Sequence, residues 1–560
     1  MRKLKWEDAV LAFFTVLAFS SFLNASSITQ TFTLHPGWNA IFLEVEPNST
    51  SPADIFSGIG ALESVWMWNP RTGTVEFIDD PNDLVPEQPQ WLVYIPRNQV
   101  ASNLHAIHGN TAYLIKLGGN SDVTLSIDGE PLVPSIKWKA NSFNFVGFHL
   151  KEGEQPSFSA FFSSSPAHAG QPIFVLDNGH WAEISDPTNE KMKKGVAFWI
   201  YCKGSSVFTG PVSVQLDQGK ALDYGAILSE QDLWVINDSD EEKHINLSVS
   251  DGTVNLHYWM FQPQNNIAKW IEMDRYPLTI TVKPHEKQRL RLGVKRKDMD
   301  PGSVYKANLI VNDGGGSEIL VPVSVKGVSY AGLWVGNVTV NKVNEPANNS
   351  DPDTPVKTGS EFSFRLILHI DESGNVRLLP EVIQMWQEGT WKPDPDDPGK
   401  LVVDEPGHFV LLANDALIPN YSGSAMRDGQ LVGRRISAPV FPRIPYDQTL
   451  MTGNFDPYSG TLERTITLDC EDPTNPFRHK FHPDHKTAEK SYEVTRVITL
   501  NFRETDSDGK LITGVPTLTW GSTEIGGIYT EDITGLHKNT LHVKGTFYLR
   551  KVSRVSQLQH

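Results

Sequence analysis

Phe362-Ser363-Phe364-Arg365-Leu366-Ile367-Leu368-His369-Ile370, followed by Asp371-Glu372-Ser373-Gly374-Asn375 and Val376-Arg377-Leu378-Leu379, is the most regular stretch of the chain. Phe362, Phe364, Leu366, Leu368 and Ile370 occupy every second position, so one face of an extended strand is wholly apolar. The polar run containing Gly374 turns the chain back, and a second strand returns. The stretch reads as a β-hairpin with one face on a core. Val494 to Phe502, with its turn at Asp506-Ser507-Asp508-Gly509, and Leu541 to Val552 repeat the pattern. Elsewhere 43 Gly and 37 Pro punctuate short apolar runs without forming a low-complexity tract. The chain therefore reads as all-β, with several β-sandwiches and small β modules in tandem.

At 560 residues the chain exceeds what one core supports, and roughly 100–200 residues per domain implies three to five domains. Its 39% hydrophobic residues, with 15 Trp, 27 Phe and 14 Tyr, can fill several small cores, which argues against disorder. The formal charge of −17 argues against nucleic acid or anionic lipid as the main partner, because phosphates need a basic face. Cys202 and Cys470 lie far apart, so no disulfide framework is expected; Cys202, in the apolar run Ala197–Cys202, reads as a buried thiol.

Arg2, Lys3 and Lys5 precede the apolar run Ala9–Leu23, and Ala25 offers a small residue for cleavage. Residues 1–25 have the layout of a signal peptide. No other run approaches membrane-spanning length. The expected product is exported, with no membrane insertion after signal cleavage: secreted, periplasmic or on the cell surface.

Two tandem copies of one module follow, 26–135 and 136–218. Trp38-Asn39-Ala40-Ile41-Phe42-Leu43 is echoed by Phe143-Asn144-Phe145-Val146-Gly147-Phe148, and Pro52–Phe56 by Phe158–Phe162. Ser64–Asn69 matches Pro172–Asp177, and Thr111–Leu117 matches Val196–Cys202. The first copy carries about twenty extra residues, placed at Asp79 to Asn103. Gly37-Trp38-Asn39 and the aromatic strand Gly195-Val196-Ala197-Phe198-Trp199 resemble the opening and closing strands of a small β module of exported bacterial proteins. That resemblance implies a fold and no activity. Trp66, Trp68 and Trp181 are candidates for carbohydrate binding by stacking, set against the ordinary role of alternating aromatics as core.

Residues 219–328 contain Leu233–Ile236, the alternating sets Ile245/Leu247/Val249, Leu278/Ile280/Val282 and Leu290/Leu292/Val294, then Tyr305–Val311 and Ile319–Val325. Some seven short strands in about a hundred residues read as an antiparallel sandwich, and its last strands resemble those of bacterial Ig-like domains.

Residues 329–560 read as a C-terminal β-sandwich with a long loop excursion, Trp386 to Tyr492. Inside it lies Asp472-Pro473-Thr474-Asn475-Pro476-Phe477-Arg478-His479-Lys480-Phe481-His482-Pro483-Asp484-His485. His479, His482, Asp484 and His485 are ligand types for zinc or another divalent metal; the chain has no His-Glu-x-x-His. The cluster reads as a hydrogen-bonded loop, a structural metal site or a catalytic one. Gly332-Leu333-Trp334-Val335-Gly336 and Asp472–His485 resemble a region shared by uncharacterised secreted multi-domain β proteins of environmental bacteria, which implies compartment and architecture. Two functions are expected. The first is a non-enzymatic structural, adhesive or binding protein of the bacterial envelope or medium, with glycan or other envelope proteins as partners. The second is a secreted metal-dependent hydrolase working at His479–His485.

Overall fold

The structure, a computed structural model, describes residues 27–69, 91–250, 253–262, 267–344, 354–380, 383–412, 446–469 and 493–558 except 388 and 538, with short pieces between 413 and 445. The chain divides into two compact units: Met1–Met260, Ile271–Val294 and Ser303–Lys326, and Phe261–Trp270, Lys295–Gly302 and Gly327–His560. The signal-peptide reading of 1–25 and the histidine cluster at 479–485 lie outside the described residues.

In the first unit, copy one comprises β1 (Ile28–Leu34), β2 (Gly37–Leu43), β3 (Val45–Pro47), α1 (Pro52–Ile55), β4 (Leu62–Trp68), β5 (Trp91–Tyr94), β6 (Thr111–Leu117) and β7 (Val123–Pro131). Copy two comprises β8 (Ser142–Val146), α2 (Phe158–Phe162), β9 (Ile173–Asp177), β10 (His180–Glu183) and β11 (Phe198–Cys202). The sheet of copy one runs β2-β6-β4-β5 and that of copy two β8-β11-β9-β10, the same order strand for strand.

The duplication extends to single hydrogen bonds. Ser51 caps α1 by accepting from the Asp54 amide, and Ser157 caps α2 from the Ala160 amide. Asn39 accepts from the His35 amide (2.8 Å) and donates back to its carbonyl (2.8 Å). Its counterpart Asn144 treats Lys139 the same way, at 2.7 and 3.1 Å. A buried amide that closes the turn entering the sheet explains why both copies open on an aromatic residue followed by Asn: it satisfies backbone groups that no ladder reaches.

The copies differ where β4 or β9 returns. Asn178 and Gly179, both at positive φ (47° and 81°), make the two-residue turn from β9 to β10, the chemistry of a type I′ hairpin. Residues 69–90 make the same connection in copy one. The extra length therefore ends before Trp91, whereas the sequence reading ran it to Asn103; Trp91–Tyr94 is strand because it pairs Trp66 with Val93 and Trp68 with Trp91.

The third module is an Ig-like sandwich of β12 (Val212–Leu216), β13 (Leu222–Asp223), β14 (Glu230–Asn237), β15 (Lys243–Val249), β16 (Leu256–Gln262), β17 (Ile267–Glu272), β18 (Leu278–Val282), β19 (Lys287–Val294), β20 (Val304–Asn312) and β21 (Glu318–Lys326). One sheet runs β12-β14-β19-β16-β17, the other β13-β21-β20-β15-β18. Leu233, Val235, Leu290 and Leu292 of the first sheet and Ile245, Leu247, Leu309 and Val321 of the second are buried, as the period-two pattern requires.

The second unit is built on β22 (Gly332–Val343), β23 (Val356–Ile370), β24 (Val376–Leu379), β25 (Thr452–Asn454), β26 (Thr461–Leu468), β27 (Val494–Phe502), β28 (Glu524–Thr534) and β29 (Leu541–Ser553). They form one sheet, β24-β23-β22-β29-β28-β27-β26-β25. Its ends meet: Arg377 of β24 bridges Leu450, just before β25, and the Met451 amide donates to the Val376 carbonyl at 2.9 Å. The inward faces share one core, including Trp334, Leu366, Leu368, Leu500, Phe502, Phe547 and Leu549. Curling a sheet this far needs positions without a side chain. A Cβ on Gly336 would stand 1.9 Å from the Tyr548 carbonyl oxygen, and one on Gly527 1.9 Å from that of Asn501.

Candidate functional site: the joint between the modules

In each copy, one sheet face covers that copy's own core. Val65, Tyr113 and Ile115 do so in copy one, and Ile173, Phe198 and Ile200 in copy two. The opposite faces pack on each other. Phe42, Ala112, Phe145 and Ala197 are buried there, with Ala40, Trp68, Trp91, Leu114 and Trp199 packed around them. These residues fall at equivalent positions of the repeat, and size is exchanged between them: Ala40 answers to Phe145, Leu114 to Trp199, and Phe42 to Gly147. The Phe42 ring fills the space that a side chain at 147 would need, since a Cβ there would lie 2.2 Å from the Phe42 ring. The Phe42 amide also donates to the Gly195 carbonyl (2.8 Å), tying the copies through backbone.

Aromatic rings continue this seam in edge-to-face steps. Trp38 meets Trp66 at 6.5 Å, Trp66 meets Trp91 at 6.4 Å, Trp91 meets Trp199 at 6.1 Å, and Trp199 meets Trp181 at 6.3 Å. Trp68 joins Trp199 from the side at 5.1 Å. Of the three tryptophans singled out in the sequence, Trp66 and Trp68 are half-buried in this ladder, and the Trp66 indole donates to Ser64 Oγ at 2.8 Å. Trp181 stands at its end, 38% exposed, and Phe143 is 37% exposed on the same sheet. Each step of such a ladder adds about 0.5–1.5 kcal/mol beyond the burial itself.

Beside the aromatic seam is a polar joint that sequence reading missed. Glu44 follows β2, and its backbone is clasped by Gln30, which accepts from the Glu44 amide (2.8 Å) and donates to the Phe42 carbonyl (2.9 Å). Glu44 is only 6% exposed. Lys194 Nζ stands 3.8 Å from one carboxylate oxygen, and the other has no hydrogen-bond partner among the described residues. Burial raises the Glu44 pKa to about 7 against the opposing pull of Lys194, with Glu318 and Glu152 adding to the rise.

His149, after β8, is 7% exposed and contacts Phe42 edge-on at 5.8 Å. The Asn110 amide donates to the Val133 carbonyl (2.9 Å), which turns its oxygen toward His149 Nε2 at 2.6 Å. An acceptor there places the imidazole proton on Nε2. Burial first, then Lys194, lowers the His149 pKa to about 3, so this imidazole is neutral in ordinary buffers. The third module docks at the same place: the Lys151 amide donates to the Gly316 carbonyl (2.8 Å), and Leu150 bridges Ser317. No local pattern marks Glu44, Lys194 and His149 as neighbours; Glu44 and His149 as single polar residues within apolar runs were the only signal, and Lys194 lies in the charge-rich run Glu190–Lys194. Cys202, by contrast, is the buried free thiol that its sequence context implies, with its pKa raised by burial.

Among the described residues no group of three or more His, Cys, Asp or Glu is arranged to hold a metal ion, and no helix is long and apolar enough to cross a membrane.

No protein family matches the chain, and no curated protein matches it. Solved structures give distant likenesses. The chaperone–tip adhesion subunit pre-assembly complex CsuC–CsuE of Acinetobacter baumannii archaic Csu pili is 13% identical over 28% of this chain and 94% of that chain, at TM-score 0.14. The Escherichia coli chaperone DraB is 12% identical over 29% and 94%, at TM-score 0.15. BcpA, the major pilin of Bacillus cereus, is 12% identical over 44% and 91%, at TM-score 0.16. At such scores these likenesses carry no functional weight.

Proposed function

We propose that the protein is a non-enzymatic exported component of a bacterial envelope or its surrounding medium, structural or adhesive in role, which engages envelope glycan or another envelope protein. The aromatic seam carries this reading. It fuses two modules through their outer faces into one body and reaches solvent at Phe143 and Trp181. Aromatic residues held by neighbouring rings lose little freedom on contact, which makes them effective anchors. The groups best suited to acid–base work, Glu44 and His149, are enclosed in the joint. Residues 1–25 with signal-peptide layout and a formal charge of −17 agree with export and with a partner other than nucleic acid.

The test is retention of labelled full-length protein on bacterial envelope fractions and insoluble polysaccharides. Wild type is retained, and a Phe143→Ala/Trp181→Ala variant is retained several-fold less. Absence of wild-type retention on every fraction refutes the proposal.

A further inference from the structure

A second surface of the first unit has the chemistry of a ligand site. On the Ig-like module, the face of β14, β19 and β16 that points away from the sandwich core bears Glu230, Asp232, Arg289, Arg291 and Trp259, which with Gln231 line a cleft of about 600 Å³. That volume falls within the roughly 300–1,000 Å³ of small-molecule sites. Residues of alternating parity place these groups together: Leu233, Leu290 and Leu292 turn inward and are buried, and Asp232 faces Arg291 across the ladder.

Three features define what would fit. The charges balance, because Arg289 pairs with Asp232, and Arg291 with Glu230 through its Nε at 2.7 Å. A cleft with two guanidiniums matched by two carboxylates has little net attraction for an isolated anion or cation. It still presents rows of N–H donors and carboxylate lone pairs held in fixed orientations. Arg291 lies over the Trp259 ring at 5.1 Å, which braces both planar groups and gives the cleft an apolar wall. Gln231 completes the lining, its amide nitrogen buried behind the charged rows and without a partner among the described residues. Donors and acceptors in equal supply beside an aromatic wall suit a molecule with many hydroxyls and an apolar C–H face.

We infer that this cleft binds a neutral oligosaccharide, with Trp259 as wall and Glu230, Asp232, Arg289 and Arg291 bonding its hydroxyls. The inference deepens the reading of a non-enzymatic binding protein and names a site separate from the aromatic seam.

The test is full-length protein on an array of neutral and charged glycans, with calorimetry on the strongest binder. A neutral glycan binds, its affinity changes less than threefold between 50 and 500 mM NaCl (about the range over which exposed charge contacts are screened), and Trp259→Ala and Arg289→Ala each weaken it at least tenfold. Arg289→Ala alters an exposed side chain, so it remains informative if the Trp259 variant is poorly folded. Unaltered affinity in the Arg289 variant, binding only to charged glycans, or loss confined to Trp181→Ala overturns the inference. If no glycan binds while the protein is still retained on envelope fractions, this inference fails and the proposed function stands.

Discussion

Replacing Glu44 by Gln tests whether the polar joint works as the structure indicates. A carboxyl whose folded pKa is raised from 4.5 to about 7 holds its proton in the folded state over a pH window where the unfolded chain has lost it. The folded state then binds more protons, so stability falls as pH rises from 4.5 to about 7. Two and a half pK units correspond to about 3 kcal/mol of destabilisation, complete above pH 7 and absent below 4.5. His149 acts in the opposite sense. Its pKa falls from 6.5 to about 3, so the unfolded chain binds the extra proton, and a contribution of about 5 kcal/mol, complete above pH 6.5, is lost as pH falls toward 3. Between 4.5 and 6.5 the two slopes cancel. Glu44→Gln removes one of them. Relative to wild type, the variant gains stability progressively from pH 4.5 to 7, by up to about 3 kcal/mol at pH 8, less what is lost when Lys194 no longer faces a carboxylate. The assay is denaturant unfolding of the full chain at pH 4 to 8, followed by tryptophan fluorescence, to which the seam tryptophans contribute. The informative quantity is the variant-minus-wild-type difference. A pH-independent difference, or one that shrinks as pH rises, refutes the assignment of a buried, proton-holding Glu44.

Two further outcomes follow from the same joint and from the segment beyond the described residues. Gly147→Ala forces its methyl into the Phe42 ring and lowers the stability of the first unit by about 1–3 kcal/mol. Phe42→Ala added to it costs less than the sum of the two changes in a double-mutant cycle, and strict additivity would refute the contact. The hydrolase reading requires one equivalent of a transition metal per chain, lost in His482→Ala together with hydrolytic activity; a folded, metal-free protein, by elemental analysis after purification without chelator, refutes it.

Local rules carried the reading a long way. Alternation at Phe362–Ile370, turn chemistry at Asp371–Asn375 and the repeated aromatic–Asn openings are properties of five to fifteen neighbouring residues, and the structure has a strand, a turn and a capped turn at those places. The all-β class follows from such pieces. The same reasoning placed Trp66 and Trp68 on one strand face, and alternation can say no more than that, because what covers the face comes from the other copy. Glu44 and Lys194 are 150 positions apart in the chain, and neither belongs to a motif.

What the sequence determined by itself is therefore the set of strands, their apolar faces and the existence of two copies, since each depends on residues close enough to interact before any long loop closes. The tertiary structure alone decided which faces meet. The outer faces of the copies are buried on each other because Phe42 finds an empty place at Gly147. The sheet of the last unit closes because Leu450 and Met451 return to Arg377 and Val376. Such contacts join segments separated by tens to hundreds of residues, and their stability comes from complementary shape and shared burial, which no window of sequence contains.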